Sequence, residues 1–301
     1  MRLSVIIPTL NAEKQIGLLL SKLYDQTLPP YEIIVVDSSS DDKTRAIAES
    51  AGAKVLVIPR NDFRHGRTRN EAVKRAEGDI LIFLTQDALP ANDEMLSHLT
   101  APLKDPLVGA SYGRHVPKPT DSPVEQFVRF FNYPPASRIQ SWELLPEVGI
   151  KALFFSNVCS AIKKDIFEEI HGFPENVVVA EDFYFAAKLL SSGYKIAYTS
   201  RAEVIHSHNY TLSSLFRRYF DVGAAFSEMR PLLSDGILQN EGKRFVINCL
   251  HFLRRNQQYR YLPQALVHIC VKWLAFQLGS KSSYFPKKVK KWLSMHPHYW
   301  E

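Results

Sequence analysis

The stretch GDILIFLTQDALP, residues 78–90, constrains the fold more than any other part of the chain. Gly78 closes one element, and Ile80 to Leu84 form an unbroken apolar run of strand character. Such a run has no polar face, so it belongs to a strand buried on both sides, as in a parallel sheet covered by helices. It stops on Thr85-Gln86-Asp87, before Pro90 bars a simple continuation. A carboxylate released at the C-terminal end of such a strand lies where open α/β sheets bind ligands. Asp87 is therefore the first candidate site residue, with oxygens suited to a hard cation such as Mg2+ or Mn2+.

The sequence on either side extends the pattern. Residues 3–7, 33–36 and 54–58 read as strands, and 13–24, 43–50 and 67–77 as helices. The helix at 13–24 places Ile16, Leu19, Leu20 and Leu23 on one face. This βαβα rhythm predicts an α/β fold of Rossmann-like type, a mostly parallel sheet flanked by helices, with right-handed crossovers. The first turn reads PTLNAE rather than GxGxxG, which argues against a nicotinamide or flavin enzyme. Residues 111–150, rich in Pro and aromatic side chains, read as long loops and short helices. Ala152 to Ile162 reads as a strand interrupted at Ser156-Asn157. A helix over 183–190 follows, led by Glu181 and Asp182. Two strands come next, 194–198 and 204–208, the second carrying His206 and His208. From residue 212 onward the pattern is helical, giving a C-terminal α-helical appendage.

Several polar groups sit at the ends of these elements. Asp37 closes a strand beside Ser38, Ser39, Ser40 and Asp41, a cluster suited to the donors of a base and ribose. His206 and His208 are two apart on an extended segment, so both rings can face one cleft. Asp182 follows Glu181 at a helix start, where the dipole favours an ionised carboxylate and hence a general base. Each residue alone has a plainer reading as a helix cap, turn former or satisfied polar side chain. Their joint occurrence around one sheet edge favours a site.

Charge is segregated along the chain. The overall net charge is +6, but residues 242–301 hold eleven Lys/Arg against one acid, Glu301. That tail thus carries +10 and the preceding 241 residues −4. Basic helices with apolar faces and the rings Trp273, Tyr284, Phe285 and Trp292 point to an anionic membrane surface as partner of 242–301. No recognised nucleic-acid motif accompanies them, so nucleic acid is not expected. Three widely spaced cysteines fit reduced thiols in a cytoplasmic protein better than a disulfide framework. The opening LSVIIP is broken too soon by Pro8 for a signal peptide, and no apolar run is long enough to span a bilayer. A location at the inner face of the cell membrane follows.

PTLN (8–11), DSSSD (37–41), the Asp-containing turn after the fourth strand, ED (181–182) and HSH (206–208) resemble the ordered motifs of family 2 glycosyltransferases with the GT-A fold. More narrowly, NDFRHGRTRNEAV (61–73), TQDA (85–88), SNVCSA (156–161) and HSHNYT (206–211) resemble bacterial rhamnosyltransferases that use dTDP-L-rhamnose. The likeness covers roughly residues 3–225, and the family's usual DXD is here Thr85-Gln86-Asp87. It implies a catalytic domain over 1–211, with a nucleotide-sugar half to about residue 110 and an acceptor half over 111–211. Residues 212–301 form the appendage.

The resemblance further implies that Pro8, Thr9, Asn11, Asp37, Ser39, Arg69, Asn70 and Gln86 line the nucleotide sugar. Asp87 holds the divalent cation, helped by His206 or His208, and Ser156, Asn157 and Glu181 lie on the acceptor side. Asp182 is the base of an inverting transfer of L-rhamnose to a saccharide, itself lipid-linked, in cell-surface polysaccharide synthesis. The alternatives are a same-fold transferase using a UDP-hexose, a nucleotidyltransferase, which lacks its Gly-rich phosphate loop here, or a catalytically silent membrane scaffold.

Overall fold

The computed structural model describes residues 1–229 and 239–301. Four parallel strands, β1 (Leu3–Thr9), β2 (Glu32–Asp37), β3 (Lys54–Val57) and β4 (Ile80–Leu84), are linked through helices α1 (Ile16–Tyr24), α2 (Thr44–Ser50) and α3 (His65–Val73). The short strand β5 (Leu89–Pro90) and helix α4 (Met95–Thr100) precede β6 (Val108–Val116). Then come α5 (Pro123–Asn132), β7 (Arg138–Gln140), α6 (Leu145–Val148), β8 (Cys159–Lys163), α7 (Lys164–Glu169), α8 (Glu181–Ser191) and β9 (Lys195–Ile205). The C-terminal part consists of α9 (Leu212–Met229), α10 (Gln239–Arg255), α11 (Leu262–Gly279) and α12 (Lys287–Leu293). The helical reading of the tail also spans 230–238, which lie outside the described residues.

The strands form one mixed, mostly parallel sheet in the order β3-β2-β1-β4-β8-β6-β9-β5, with β7 paired to β9 off this path. As the apolar run requires, β4 is buried throughout. Its side chains alternate between two cores: Leu81 and Phe83 on one face, and Ile80, Ile82 and Leu84 on the other. Removing each such side chain from water stabilises the fold by about 1.5–3 kcal/mol.

Three local readings change. Residues 108–116 form the strand β6 where loops were expected from 111 onward, because its glycines and polar residues break the apolar alternation. Only the second half of 152–162 is strand, since residues 149–153 turn as a 3-10 helix before β8. The two expected strands 194–198 and 204–208 are one strand, β9, which ends before the histidines.

The C-terminal helices pack back onto the sheet layers. Phe226 and Met229 of α9 join the core that contains Phe83, and Cys249 and Leu253 of α10 bury against Val124 and Phe127 of α5. Helices α9 and α11 cross closely: a Cβ on Gly223 would strike the Phe276 carbonyl, and one on Gly279 the Phe220 carbonyl. Among the described residues, no helix is long and apolar enough to cross a membrane.

Candidate functional site

A strand pairing brings distant residues together at the end of β4. β5, beginning two residues after Asp87, pairs antiparallel with Val204 and Ile205, immediately before the histidines. His206 N–H also donates to the Val116 carbonyl at 3.0 Å. As a result His206 Nε2 and His208 Nε2 stand 3.5 and 3.2 Å from Asp87 Oδ2, and 3.1 Å from each other. These three residues form the one cluster among the described residues with metal-ligand spacing.

The donor set fits a divalent cation. Burial works to raise the Asp87 carboxyl, but the His206 and His208 rings hold it well below the usual carboxylate range. Burial lowers both imidazoles, His208 to about 4, so their ring nitrogens offer lone pairs at neutral pH. An octahedral ion with ligands at about 2.1 Å holds adjacent ligands about 3 Å apart, close to the spacing seen here. With Thr85 in place of an acid, a cation there would find one carboxylate, Asp87, and two histidine donors. Two imidazoles suit Mn2+ better than Mg2+, which prefers oxygen.

The second centre lies at the start of α8. Glu181 is buried and meets Arg69 at 3.2 Å and the Asn157 amide at 3.1 Å. Burial alone would raise its carboxyl, but Arg69, His65 and Asn157 hold it below its ordinary value. Asp182 behaves oppositely. Part of its side chain reaches solvent, yet it is packed deep among protein atoms, and burial with the Glu181 charge pushes its carboxyl up to about 7. Among the described residues its oxygens accept only backbone N–H groups, from Phe183 at 2.9 Å and Asn157 at 3.4 Å. The segment 156–158 lies between the two centres, because the Thr85 N–H donates to the Val158 carbonyl at 3.3 Å. Ser156 and Asn157 are both buried in it.

The loops after β1, β2 and β4 are laced into one rim. Gln86 accepts from the Leu10 N–H at 2.8 Å and donates to its carbonyl at 3.2 Å. Asp37 accepts from Thr9 Oγ1 at 3.2 Å and from the Ser40 N–H at 2.9 Å. Asn11, with φ 49°, accepts from the Asp41 N–H, and its own N–H donates to Ser40 Oγ. Ser39, also at positive φ, donates to the Ile58 carbonyl. Pro8 is half-buried in the same rim, on the last residues of β1. Asn70 faces another way: its amide is engaged with the Phe173 backbone and Glu175, tying α3 to residues 173–175.

The family model for glycosyl transferase family 2 matches residues 4–171. The chain belongs to glycosyl transferase family 2. It is 38% identical to the O-antigen chain rhamnosyltransferase RfbN of Salmonella typhimurium, over 100% of this chain and 96% of that one. It is 37% identical to WbaN of Salmonella anatum, an O-antigen chain rhamnosyltransferase, over 99% and 95% of the two chains. Its fold is similar to that of the mannosyltransferase PcManGT from Pyrobaculum calidifontis, solved with GDP-Man and Mn2+ (TM-score 0.60, 20% identity, 99% of this chain and 84% of that one). Staphylococcus aureus TarS in complex with UDP-GlcNAc gives a TM-score of 0.57 at 22% identity, over 98% and 84% of the chains. These solved structures share the GT-A-like fold.

In this family 2 glycosyltransferase three residues near the Asp87, His206 and His208 cluster were not singled out from sequence. His115 is buried with neither ring nitrogen partnered among the described residues, stacks on Tyr133 at 3.8 Å, and meets the His206 ring edge-on at 5.2 Å. Arg129 and Arg218 lie near enough for their charges to lower His206 and His208, and Arg129 Nε is buried without a partner. His115 sits in the strand whose pattern its glycines hide, and the arginines lie on helices whose packing only the fold reveals.

Proposed function

We propose that this glycosyltransferase moves L-rhamnose from dTDP-L-rhamnose to a hydroxyl of a lipid-linked saccharide, with inversion, in cell-surface polysaccharide synthesis. The observation that carries the reading is the pairing of two centres across segment 156–158. One is a carboxylate and two neutral imidazoles converging on one point; the other is a carboxylate whose pKa lies near neutrality. The full-length likeness to two O-antigen chain rhamnosyltransferases supports the donor.

In this reading Thr9, Asn11, Asp37, Ser39 and Gln86 line the nucleotide end, where Pro8 shapes the rim. Arg69 holds Glu181 beside the sugar, and Asp87, His206 and His208 hold Mn2+ or Mg2+. The cation, when bound, supplies positive charge for the departing diphosphate. Arg129 and Arg218 add to that charge from the helical side. Asp182 accepts the acceptor O–H proton as that oxygen bonds to the anomeric carbon. The bond from this carbon to the diphosphate oxygen breaks, and its electron pair leaves with dTDP. A β-L donor thus gives an α-L-rhamnoside. The catalytic domain spans 1–211 and the helical region 212–301, which carries the membrane contact.

A panel of nucleotide sugars incubated with Mn2+, scored by release of the nucleoside diphosphate, tests the donor. Preference for dTDP-L-rhamnose is expected. Preference for a UDP-hexose would overturn the donor while leaving the family intact.

A further inference from the structure

The last eight residues do not trail away from the helical appendage but return to the catalytic domain. His296 Nε2 stands 3.5 Å from His65 Nε2, with the rings edge-to-face at 5.0 Å. Arg64 donates to the His298 carbonyl at 3.1 Å, and the Tyr299 hydroxyl donates to the Asn176 carbonyl at 3.1 Å. Tyr299 and Trp300, like Val179 and Ala180, pack against the buried cluster of Val178, Ala224 and Ala225. The segment is fixed upstream as well: the Met295 N–H donates to Asp221 Oδ2 at 2.8 Å, and Asp221 and Ser294 are both buried.

Both surfaces gripped by this segment lead to the base. His65 opens α3, and its carbonyl accepts from Arg69 at 2.8 Å, while Arg69 pairs with Glu181 at 3.2 Å. Residues 176–180 run directly into Glu181 and Asp182. Ala180 is held there in the left-handed region at φ 66°. That conformation is unfavourable for a residue with a Cβ, so packing around it must hold it in place. Tyr299 and Trp300 pack against the same Val178, Ala224 and Ala225 cluster as Ala180.

We propose that residues 294–301 form a strap that clamps the start of α3 to the 176–180 segment and thereby positions the Asp182 carboxylate. The strap residues are positioning residues; none of them touches the metal corner. The proposal rests on Asp182 as base, and it gives the C-terminus a role apart from the membrane contact.

Three full-length variants test it: Tyr299→Phe, which deletes one hydrogen bond, His296→Ala, and His296→Ala with Trp300→Ala. Each is compared with the parent for dTDP affinity in Mn2+, for kcat of dTDP release from dTDP-L-rhamnose, and for amide hydrogen exchange. The double variant should lose about tenfold or more in kcat, as expected when a reacting group is displaced by a fraction of an ångström. Its dTDP affinity should stay within about twofold, because the rim is untouched. Exchange should rise at 176–184 and stay unchanged in β1 and β2, with the single variants intermediate.

Unchanged kcat, or a fall in kcat without faster exchange at 176–184, would overturn the strap. So would a parallel loss of dTDP affinity with faster exchange throughout, which marks general destabilisation. Asp182→Asn in the same assay separates the two ideas. Retained turnover there removes Asp182 as base, while exchange at 176–184 still decides whether the strap holds the loop.

Discussion

As the proposed base Asp182 must be ionised to accept a proton, yet burial and the neighbouring Glu181 push its carboxyl up to about 7. The transfer rate should therefore fall about tenfold per pH unit below neutrality and level off above it. A pH profile of kcat/KM measures this, and a rate still flat at pH 5 would remove Asp182 as base. At the other centre, Asp87→Ala deletes the sole carboxylate of the triad. Calorimetry should show Mn2+ affinity in the presence of dTDP falling by about tenfold or more. Residue types in order were enough to propose Asp87, Asp182, His206 and His208 as candidates, and the fold brings Asp87, His206 and His208 together. Their surroundings were not legible. Nothing local tells that Asn70 is engaged with Phe173, that Arg69 meets Glu181, or that His115 lies beside His206. Those contacts join residues far apart in sequence and exist only once the sheet has formed.

At the scale of elements, β1 to β4 were readable because each is a short apolar run bounded by turn residues, and the first three are followed by helices. β6 was not, since Gly109 and Gly113 interrupt its apolar alternation. The separation of β9 into two strands had a similar cause: Ser200 and Arg201 look like a break but lie within one continuous strand. The two-residue strand β5 carries no sequence signal, yet its pairing with β9 delivers both histidines to Asp87. The α9–α11 crossing is likewise hidden in two ordinary glycines. Gly223→Ala drives a methyl into the Phe276 carbonyl, so the helices must separate. Overpacking of this kind costs about 1–3 kcal/mol. Thermal unfolding should show a lower Tm, and an unchanged Tm would mean the helices part freely.

Across the whole molecule, the acidic part of the chain carries the site and the basic tail carries a second surface. Trp273, Tyr284 and Trp292 are 64%, 84% and 72% exposed, close in sequence to Lys281, Lys287, Lys288, Lys290 and Lys291. Aromatic rings among cations are the chemistry of an anionic bilayer interface. The parent should float with anionic vesicles and not with neutral ones. The triple change Trp273→Ala, Tyr284→Ala and Trp292→Ala should abolish flotation without altering dTDP binding, and unaltered flotation would contradict the membrane contact.

In the proposed enzyme a nucleotide–metal corner and a separate base share one cleft, and Asp182→Asn separates the two. Its turnover of dTDP-L-rhamnose should drop by about 10²–10⁴-fold while dTDP binding in Mn2+ stays within about twofold. Unfolding would not account for such a loss. A carboxyl whose pKa is raised in the fold is already ionised in the unfolded chain from about pH 4, so its charge costs stability as pH rises toward 7, and the cost is full above that. The Asn variant should accordingly melt no earlier than the parent at pH 8. Retained turnover with intact nucleotide binding would contradict the account.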